Sequence, residues 1–198
     1  VCHNATLLLS VPIFIPNTVT SLRGLFKNAT KFNQYIGDWN THNVTDMSGM
    51  FENATHFNQL VQSWDVSNVT DTSRMFCNAI NFSPNQDIEY TWNTTNITNM
   101  NYMFCNARSF NGKINSWNVS NVNTAYNMFE NAAMFIDNLT LWDIQPSIDL
   151  NHFFFGASSI LTIHRTPSEH WKNYQNGTTY LTFFTYKHLF ISNAELYM

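Results

Sequence analysis

The apolar and polar positions of this chain recur in blocks of 25 residues, with one longer step. Each block carries the tetrapeptide Phe-x-Asn-Ala, and the copies begin at Phe26, Phe51, Phe76, Phe104, Phe129 and, in the degraded form Phe-Phe-Gly-Ala, at Phe154. The steps between copies are 25, 25, 28, 25 and 25 residues. A period of about 20 to 50 residues is typical of a solenoid, in which each unit buries its apolar face against its neighbours.

Each block opens with a tryptophan and predicts a short strand. The tryptophans are Trp39, Trp64, Trp92, Trp117 and Trp142. After each of them apolar and polar residues alternate, as in Trp64-Asp-Val-Ser, which is typical of a strand with one buried face. Stacked copies of this stretch predict a parallel sheet with one strand per turn.

A helix of about two turns is predicted after the strand. In the second block the residues of its apolar face are Val44, Met47, Met50, Phe51 and Ala54. Asp46 and its equivalents Asp71 and Asn99 occupy the position of a helix N-cap.

The Asn of Phe-x-Asn-Ala predicts the end of each helix. Its last copy is Gly156, and Asn and Gly are the residues that most readily adopt positive φ. We therefore expect a left-handed C-cap at this position. The Ala that follows is present in all six copies, and its small side chain favours close packing between turns. Together these elements predict an α/β solenoid with one short parallel strand and one short helix per 25-residue turn.

The repeats predict one solenoid domain, residues 1–157, followed by a C-terminal capping segment, residues 158–198. Within the solenoid, residues 1–16 are expected to form an N-terminal cap, and about six turns are expected from residue 17. The apolar run Leu7–Ile15 has two interpretations, the remainder of an export signal or the first layer of the stack, and we favour the second.

Two segments depart from the repeat. The third inter-repeat segment, 83–90, is longer by three residues and predicts a loop at one edge of the stack. In the tail, Thr166-Pro167 resembles a helix start, and Asn176-Gly177 predicts a hairpin turn. We expect the tail to cover the open end of the stack.

Composition limits the classes of partner. Charged residues make up 11% of the 198-residue chain and the formal net charge is −4. Because Lys and Arg are few and scattered, no basic surface is predicted, and nucleic acid is not expected as a partner. No apolar run approaches the roughly 18 residues of a membrane span, so no transmembrane segment is predicted.

The repeat resembles the BspA-like leucine-rich repeat family of surface proteins, found in bacteria, mycoplasmas and some protists, with counterparts in large DNA viruses. The similar segments include Trp64-Asp-Val-Ser-Asn-Val-Thr-Asp, Asn43-Val-Thr-Asp-Met-Ser-Gly-Met-Phe-Glu-Asn-Ala and Phe57-Asn-Gln. The resemblance covers about residues 17–157. It implies a right-handed leucine-rich-repeat-like coil, display at a cell or virion surface, and adhesion or partner binding. It implies no catalytic residues.

Two cysteines occupy equivalent positions in adjacent turns. Cys77 and Cys105 both fill the x position of Phe-x-Asn-Ala, where other copies carry charged residues, so we expect the position to be exposed. If their Cα atoms lie within about 7 Å, the two can form a disulfide. Layers of helices stack nearer 10 Å apart, which favours two free thiols instead. Both interpretations stay open.

Ten sequons are present, and most of them arise from the repeat itself. They lie at Asn4, Asn28, Asn43, Asn53, Asn68, Asn93, Asn96, Asn118, Asn138 and Asn176. A register formed by Asn43, Asn68, Asn96 and Asn121 is expected to be a ladder of inward or capping amides that bond the neighbouring turn. Asn138 and Asn176 lie outside this pattern and are the better candidates for glycosylation.

The outward positions of the predicted strands form the candidate binding surface, which we call the strand face. Its residues are Asn40, His42, Asp65, Ser67, Asn93, Thr95, Asn118, Ser120 and Asp143. Such polar rows suit recognition of a protein or a glycan through many weak hydrogen bonds, although a solvated strand face explains them equally well. Asp65 and Asp143 lie three repeats apart, so a joint cation site is not expected.

No pattern of catalysis or cofactor binding is found. The seven histidines show no metal-ligand spacing, and nucleophile-elbow, phosphate-loop and dinucleotide-binding glycine patterns are absent. We therefore expect no metal, no cofactor and no enzymatic activity, and we give little weight to an enzyme that uses Asp65 or Asp143.

The sequence therefore predicts a non-enzymatic repeat protein at an extracellular, cell or virion surface. The expected partner is a host or neighbouring surface protein or a glycan, bound at the strand face. The alternative is a structural subunit of a virion surface or filament, which self-associates through the open edges or flanks of the stack.

Overall fold

A computed structural model describes residues 11–83, 91–137, 139, 141–145 and 147–163, the last three by their backbone alone. Among these residues the single α-helix is α1, Ser158–Ile163. We number the stacked turns 1 to 6 after the Phe-x-Asn-Ala copies that begin at Phe26, Phe51, Phe76, Phe104, Phe129 and Phe154.

The turns stack in parallel and in register. Isolated parallel bridges join one residue of each turn to its equivalent in the next, and they run along Ser21, Asp46, Asp71, Asn99, Thr124 and Asp149. Among the described residues this pairing extends over no longer strand. The paired residue lies seven positions after each tryptophan, which is later in the repeat than the strand that the sequence predicts.

The backbone of each turn divides its N–H groups between two directions. In turn 2 the N–H groups of Met47, Gly49, Phe51 and Asn53 donate to carbonyls of turn 3 at 2.8 to 3.0 Å. The N–H groups between them close local turns instead, as Met50 does to the carbonyl of Met47. Since alternate N–H groups bond the next turn, they are not available for the i→i−4 bonds of an α-helix.

Local turns therefore stand where the sequence pattern predicts a two-turn helix. Asp46, which the sequence predicts to be a helix N-cap, still accepts hydrogen bonds. Its Oδ1 accepts from the N–H and the hydroxyl of Ser48, at 2.8 and 2.6 Å. These bonds close an Asx turn rather than start a helix. The apolar spacing that suggested a helical face is met by turns that bury the same side chains.

The left-handed position in Phe-x-Asn-Ala is confirmed. Its residues and φ angles are Asn28 62°, Asn53 63°, Asn78 60°, Asn106 56°, Asn131 55° and Gly156 71°. A second left-handed position, which the sequence pattern did not reveal to us, lies four residues earlier. It is occupied by Gly24, Gly49, Arg74, Tyr102, Asn127 and His152. Two such residues in every turn prevent a continuous right-handed helix.

The core is a stack of phenylalanine pairs. In each of turns 1 to 5 the two phenylalanines of the repeat lie face to face, as Phe26 and Phe32 do with ring centroids 3.8 Å apart. Successive turns continue the stack, with 5.6 Å between the centroids of Phe26 and Phe51. The six alanines of the motif are fully buried, so no larger side chain fits between the turns without displacing them.

A ladder of asparagine amides runs along the stack beside this core. The Nδ2 atoms of Asn53, Asn78, Asn106 and Asn131 each donate to the Oδ1 of the equivalent residue in the preceding turn, at 2.6 to 2.9 Å. The ladder stops at Gly156, where an added Cβ would lie only 2.1 Å from Asn131 Oδ1. The glycine thus provides the room that the last amide occupies.

The ends of the stack are described in part. Val11, Ile15 and Val19 pack against the core, whereas Ile13 and Phe14 are exposed. Residues 1–10, most of the insertion (84–90) and the tail from 164 onward lie outside the described residues, so the predicted helix start and hairpin of the tail stay predictions. The domain boundaries and the right-handed coil stay predictions as well.

The ladder can be tested at Asn78. Replacing Asn78 by Gly keeps the left-handed backbone and removes two amide bonds, which should lower the free energy of unfolding by about 2 kcal/mol. Asn78→Ala should cost about 1 kcal/mol more, because alanine is strained at positive φ. Urea denaturation of the two variants gives the comparison, and an Ala variant as stable as the Gly variant would contradict the assigned backbone strain.

Candidate functional site

The residues of the strand face lie together on one side of the stack. Seven of the nine side chains are exposed, and Ser67 and Ser120 are half-buried. The residues between them, Thr41, Val66, Thr94, Val119 and Ile144, are buried. Exposed and buried residues therefore alternate along this segment, as the sequence pattern predicts. The backbone of the segment, however, forms turns and no strand.

Asx turns fix the shape of this face. The side-chain oxygens of Asn40, Asp65, Asn93 and Asn118 accept hydrogen bonds from the N–H two residues further on, at 2.9 to 3.3 Å. Each of these bonds joins two residues of the strand face to one another. A local turn thus holds the side chains before any ligand arrives.

Three contacts connect the face from turn to turn. His42 Nδ1 lies 2.8 Å from Asp65 Oδ2, and Asn118 Nδ2 donates to Thr95 Oγ1 at 3.4 Å. Asn40 Nδ2 donates to the side chain of Asn17 at 3.3 Å. These contacts bring together residues that the sequence separates by 23 positions, and two of them join strand-face residues of adjacent turns.

A second polar column extends the face. Asn43, Asn68, Asn96 and Asn121 donate their Nδ2 hydrogens to backbone carbonyls of the preceding turn at 2.7 to 2.8 Å. The expected bonds to the neighbouring turn are confirmed, but these side chains are exposed rather than inward. Their amide nitrogens already donate hydrogen bonds, which disfavours their use as glycan acceptors.

A third column consists of threonines that our reading of the sequence left out of the face. The hydroxyls of Thr45, Thr70 and Thr98 donate to the carbonyl of the equivalent threonine one turn earlier, each at 3.2 Å. The signal was present in the sequence, because a threonine follows the buried Val or Ile in each of these blocks.

The carboxylate of Asp65 is the most perturbed acid of the face. Hydrogen bonds lower the pKa of Asp65 from 3.8 to about 2, first from the Ser67 hydroxyl, then from His42 and from the Ser67 N–H. Asp65 therefore stays ionised through the whole neutral and mildly acidic range. It gives the face a fixed negative charge next to an imidazole.

The x position of Phe-x-Asn-Ala differs from our expectation. Cys77 and Cys105 are buried, with 3% and 5% of their surface exposed, and both are free thiols. The expected exposure of this position is therefore wrong for the two cysteines. In turns 1 and 2 the same position holds an ion pair, Lys27 Nζ to Glu52 Oε2 at 2.7 Å.

The two glycosylation candidates, Asn138 and Asn176, lie outside the described residues. In the part of the chain that is described, no group of three or more His, Cys, Asp or Glu side chains is arranged to hold a metal ion. No helix in that part is long and apolar enough to cross a membrane.

The electrostatics of Asp65 give a testable pH dependence. Because the pKa of the folded carboxyl lies below 3.8, its contribution to stability is present above that pH and is lost as the pH falls through about 2. NMR titration should place the pKa near 2, and it should rise in Ser67→Ala and, by a smaller amount, in His42→Ala. An unchanged pKa in both variants would contradict the assigned hydrogen bonds.

Comparison with known proteins gives a family. No curated protein and no solved structure matches the chain. The model of DUF285, described as "Mycoplasma protein of unknown function", matches residues 10–91 and 63–171, two segments that overlap and together span most of the chain. Because the matched segments include all six repeated turns, the chain belongs to the DUF285 family of mycoplasma proteins.

Proposed function

We propose that this chain is a non-enzymatic, surface-displayed repeat protein that binds a protein or a glycan through its strand face. The observation that carries the proposal is the set of polar columns that five successive turns present on one side of the stack. The columns contain amides, hydroxyls and carboxylates, and their Asx turns and cross-turn contacts are made between residues of the chain itself.

Preorganisation is the physical reason that such a face suits binding. A ligand that meets side chains already held in place avoids the cost of ordering them, which is about 0.5 to 1.5 kcal/mol for each mobile side chain. His42, Asp65 and Ser67 are held by one hydrogen-bonded cluster. Asn118, Thr95 and Ser120 are held by another.

The dimensions of the face favour an extended ligand. Neighbouring turns joined by backbone hydrogen bonds lie about 4.8 Å apart, so five turns present a polar strip roughly 20 Å long. The strip is mostly neutral, with carboxylates at Asp65 and Asp143. Many hydrogen-bonding groups with little charge fit a polysaccharide chain or an extended polypeptide better than a nucleic acid.

The family assignment is consistent with the proposal, and the resemblance to BspA-like repeats adds the finer part of it. Membership of DUF285 gives the family at the coarser level. The finer proposal is that the chain is a BspA-like leucine-rich-repeat solenoid, located outside the cell or at a cell or virion surface, without a cofactor. The stacked turns and their columns are what such a solenoid requires.

Alanine variants of the strand face test the proposal. Screening against glycan and host-protein arrays should reveal a ligand, and the combined change Asn40→Ala, Asp65→Ala and Asn118→Ala should weaken its binding at least tenfold, which corresponds to about 1.4 kcal/mol. Asn81→Ala is the matched control, because Asn81 is an exposed asparagine of turn 3 outside the face. Thermal denaturation checks that each variant is folded.

Binding that survives the triple variant unchanged would contradict the strand-face site. Binding that is lost equally in Asn81→Ala would contradict it as well, since the effect would then come from the scaffold.

One observation favours the alternative, a self-associating structural subunit. No donor among the described residues bonds the backbone carbonyls of Ser21, Arg23, Leu25 or Lys27 in turn 1. The equivalent carbonyls of turn 2 each accept an N–H from turn 1 at 2.8 to 2.9 Å. Turn 1 thus presents an edge of four acceptors, which favours a partner with four N–H groups at alternate positions. Each of turns 1 to 5 has that arrangement.

Light scattering separates the two functions. If the acceptor edge mediates assembly, size-exclusion chromatography with light scattering should show polymers whose mass grows with protein concentration. Ser21→Lys should then reduce the polymer, because a charged residue at an edge opposes pairing. Ser116→Lys is the control, since Ser116 is an exposed serine outside turn 1. A monomer at all concentrations would contradict self-assembly.

A further inference from the structure

The thiols of Cys77 and Cys105 face one another across the junction of turns 3 and 4. They belong to a column that runs through the x position of every turn, in the order Lys27, Glu52, Cys77, Cys105, Glu130 and Phe155. Lys27 and Glu52 form an ion pair across the first junction of this column. The third junction joins two thiols instead, and the strand face does not include them.

Hydrogen bonds on both sides fix the register of the two cysteines. The N–H of Phe76 donates to the carbonyl of Met103 at 2.9 Å, and the N–H of Asn78 donates to the carbonyl of Cys105 at 2.8 Å. The amide of Asn106 also donates to Oδ1 of Asn78 at 2.9 Å. Cys77 therefore lies directly opposite Cys105 and cannot slip along the repeat.

The spacing between the turns suits a disulfide. Backbones joined by such hydrogen bonds lie about 4.8 Å apart. Disulfides usually join Cα atoms separated by roughly 4.4 to 6.8 Å. The spacing of about 10 Å that argued for two separate thiols applies to stacked helices, and turns 3 and 4 contain none among their described residues.

The two thiols are chemically unequal. A hydrogen bond from Cys105 lowers the pKa of Cys77, although burial and the carboxylate of Glu52 oppose this shift; the guanidinium of Arg74 supports it. The hydrogen bond with Cys77 raises the pKa of Cys105, and burial and the carboxylate of Glu130 add to the rise. Glu130 Oε2 lies 3.5 Å from Cys105 Sγ. Because the Glu130 carboxylate lies against Cys105 and disfavours a thiolate there, Cys77 is assigned as the attacking thiolate and Cys105 as the thiol that resolves the intermediate.

We propose that Cys77 and Cys105 are a redox-controlled clasp, which forms a disulfide between turns 3 and 4 when a small hydroperoxide is present. The Cys77 thiolate attacks a peroxide oxygen and the O–O bond breaks, so that a sulfenic acid forms and the departing hydroxide takes up the proton that the Cys77 thiol lost, giving the first water. The Cys105 sulfur then attacks the Cys77 sulfur, the S–O bond breaks as the S–S bond forms, and the hydroxide leaves with the Cys105 proton as the second water. Two thiols lose two electrons and two protons, and hydrogen peroxide is reduced to two waters.

The clasp lies at the junction that contains the insertion. The chain between Cys77 and Cys105 includes the repeat that is longer by three residues, so this loop is the longest between adjacent turns. Cross-linking stabilises more as the closed loop lengthens, because it removes more freedom from the unfolded chain. A disulfide here therefore stabilises the junction whose loop loses the most conformational entropy on closure.

Peroxide oxidation and peptide mapping test the clasp. Replacing the third cysteine of the chain, Cys2→Ser, leaves only the two thiols in question. Hydrogen peroxide should then consume both of them, and non-reducing mass spectrometry should find the Cys77 and Cys105 peptides joined. The thermal midpoint should rise by about 5 to 10 °C, and dithiothreitol should reverse the change. The Cys77→Ser/Cys105→Ser variant in the same background should show no shift.

A second pair of variants tests the order of the two steps. In Cys105→Ala the Cys77 sulfenic acid should persist and be trapped by dimedone, whereas Cys77→Ala should give little trapping at Cys105. Equal trapping in both variants would overturn the assigned roles. Thiols that survive peroxide in the folded protein, or oxidation without the Cys77–Cys105 peptide, would overturn the clasp.

Discussion

The structure depends on one class of interaction, the backbone hydrogen bonds that join alternate N–H groups of each turn to the carbonyls of the next. These bonds set the spacing between turns, and the spacing sets the packing. Face-to-face phenylalanines, buried alanines and the asparagine ladder all require turns at this separation. The N–H groups that remain close local turns, so the backbone of each turn is bonded in two directions.

The sequence reveals the stack and its period because the motif is repeated, but it does not reveal the secondary structure of one turn. Met47, Met50, Phe51 and Ala54 are spaced as on a helix, and the same spacing results from consecutive local turns whose inward residues recur at similar intervals. The substitution of Gly156 for Asn was enough to predict one left-handed position. The other was hidden because Arg74 and Tyr102 occupy it in turns 3 and 4, and neither residue type indicates positive φ.

The candidate site was predictable in outline for a similar reason. Alternation around each tryptophan identified the nine residues of the strand face, and their exposure depends only on local burial. The pairing of His42 with Asp65 was not predictable, because the hydrogen bond joins different turns and depends on the lateral position of each side chain. Nor was the burial of Cys77 and Cys105, since the charged residues at their equivalent positions suggested a surface.

The direction of the hydrogen bonds has an electrostatic consequence. From turn 2, four backbone N–H groups point towards turn 3, whereas the Trp64 indole, the Asn68 and Asn78 amides and the Thr70 hydroxyl of turn 3 point back. The backbone N–H of Thr70 and that of Asn81 point back too. Peptide and side-chain dipoles along the axis are therefore opposed within each repeat, unlike those of an α-helix, which add. Adding a repeat therefore adds less to the axial dipole of the stack than adding the same number of residues adds to that of an α-helix.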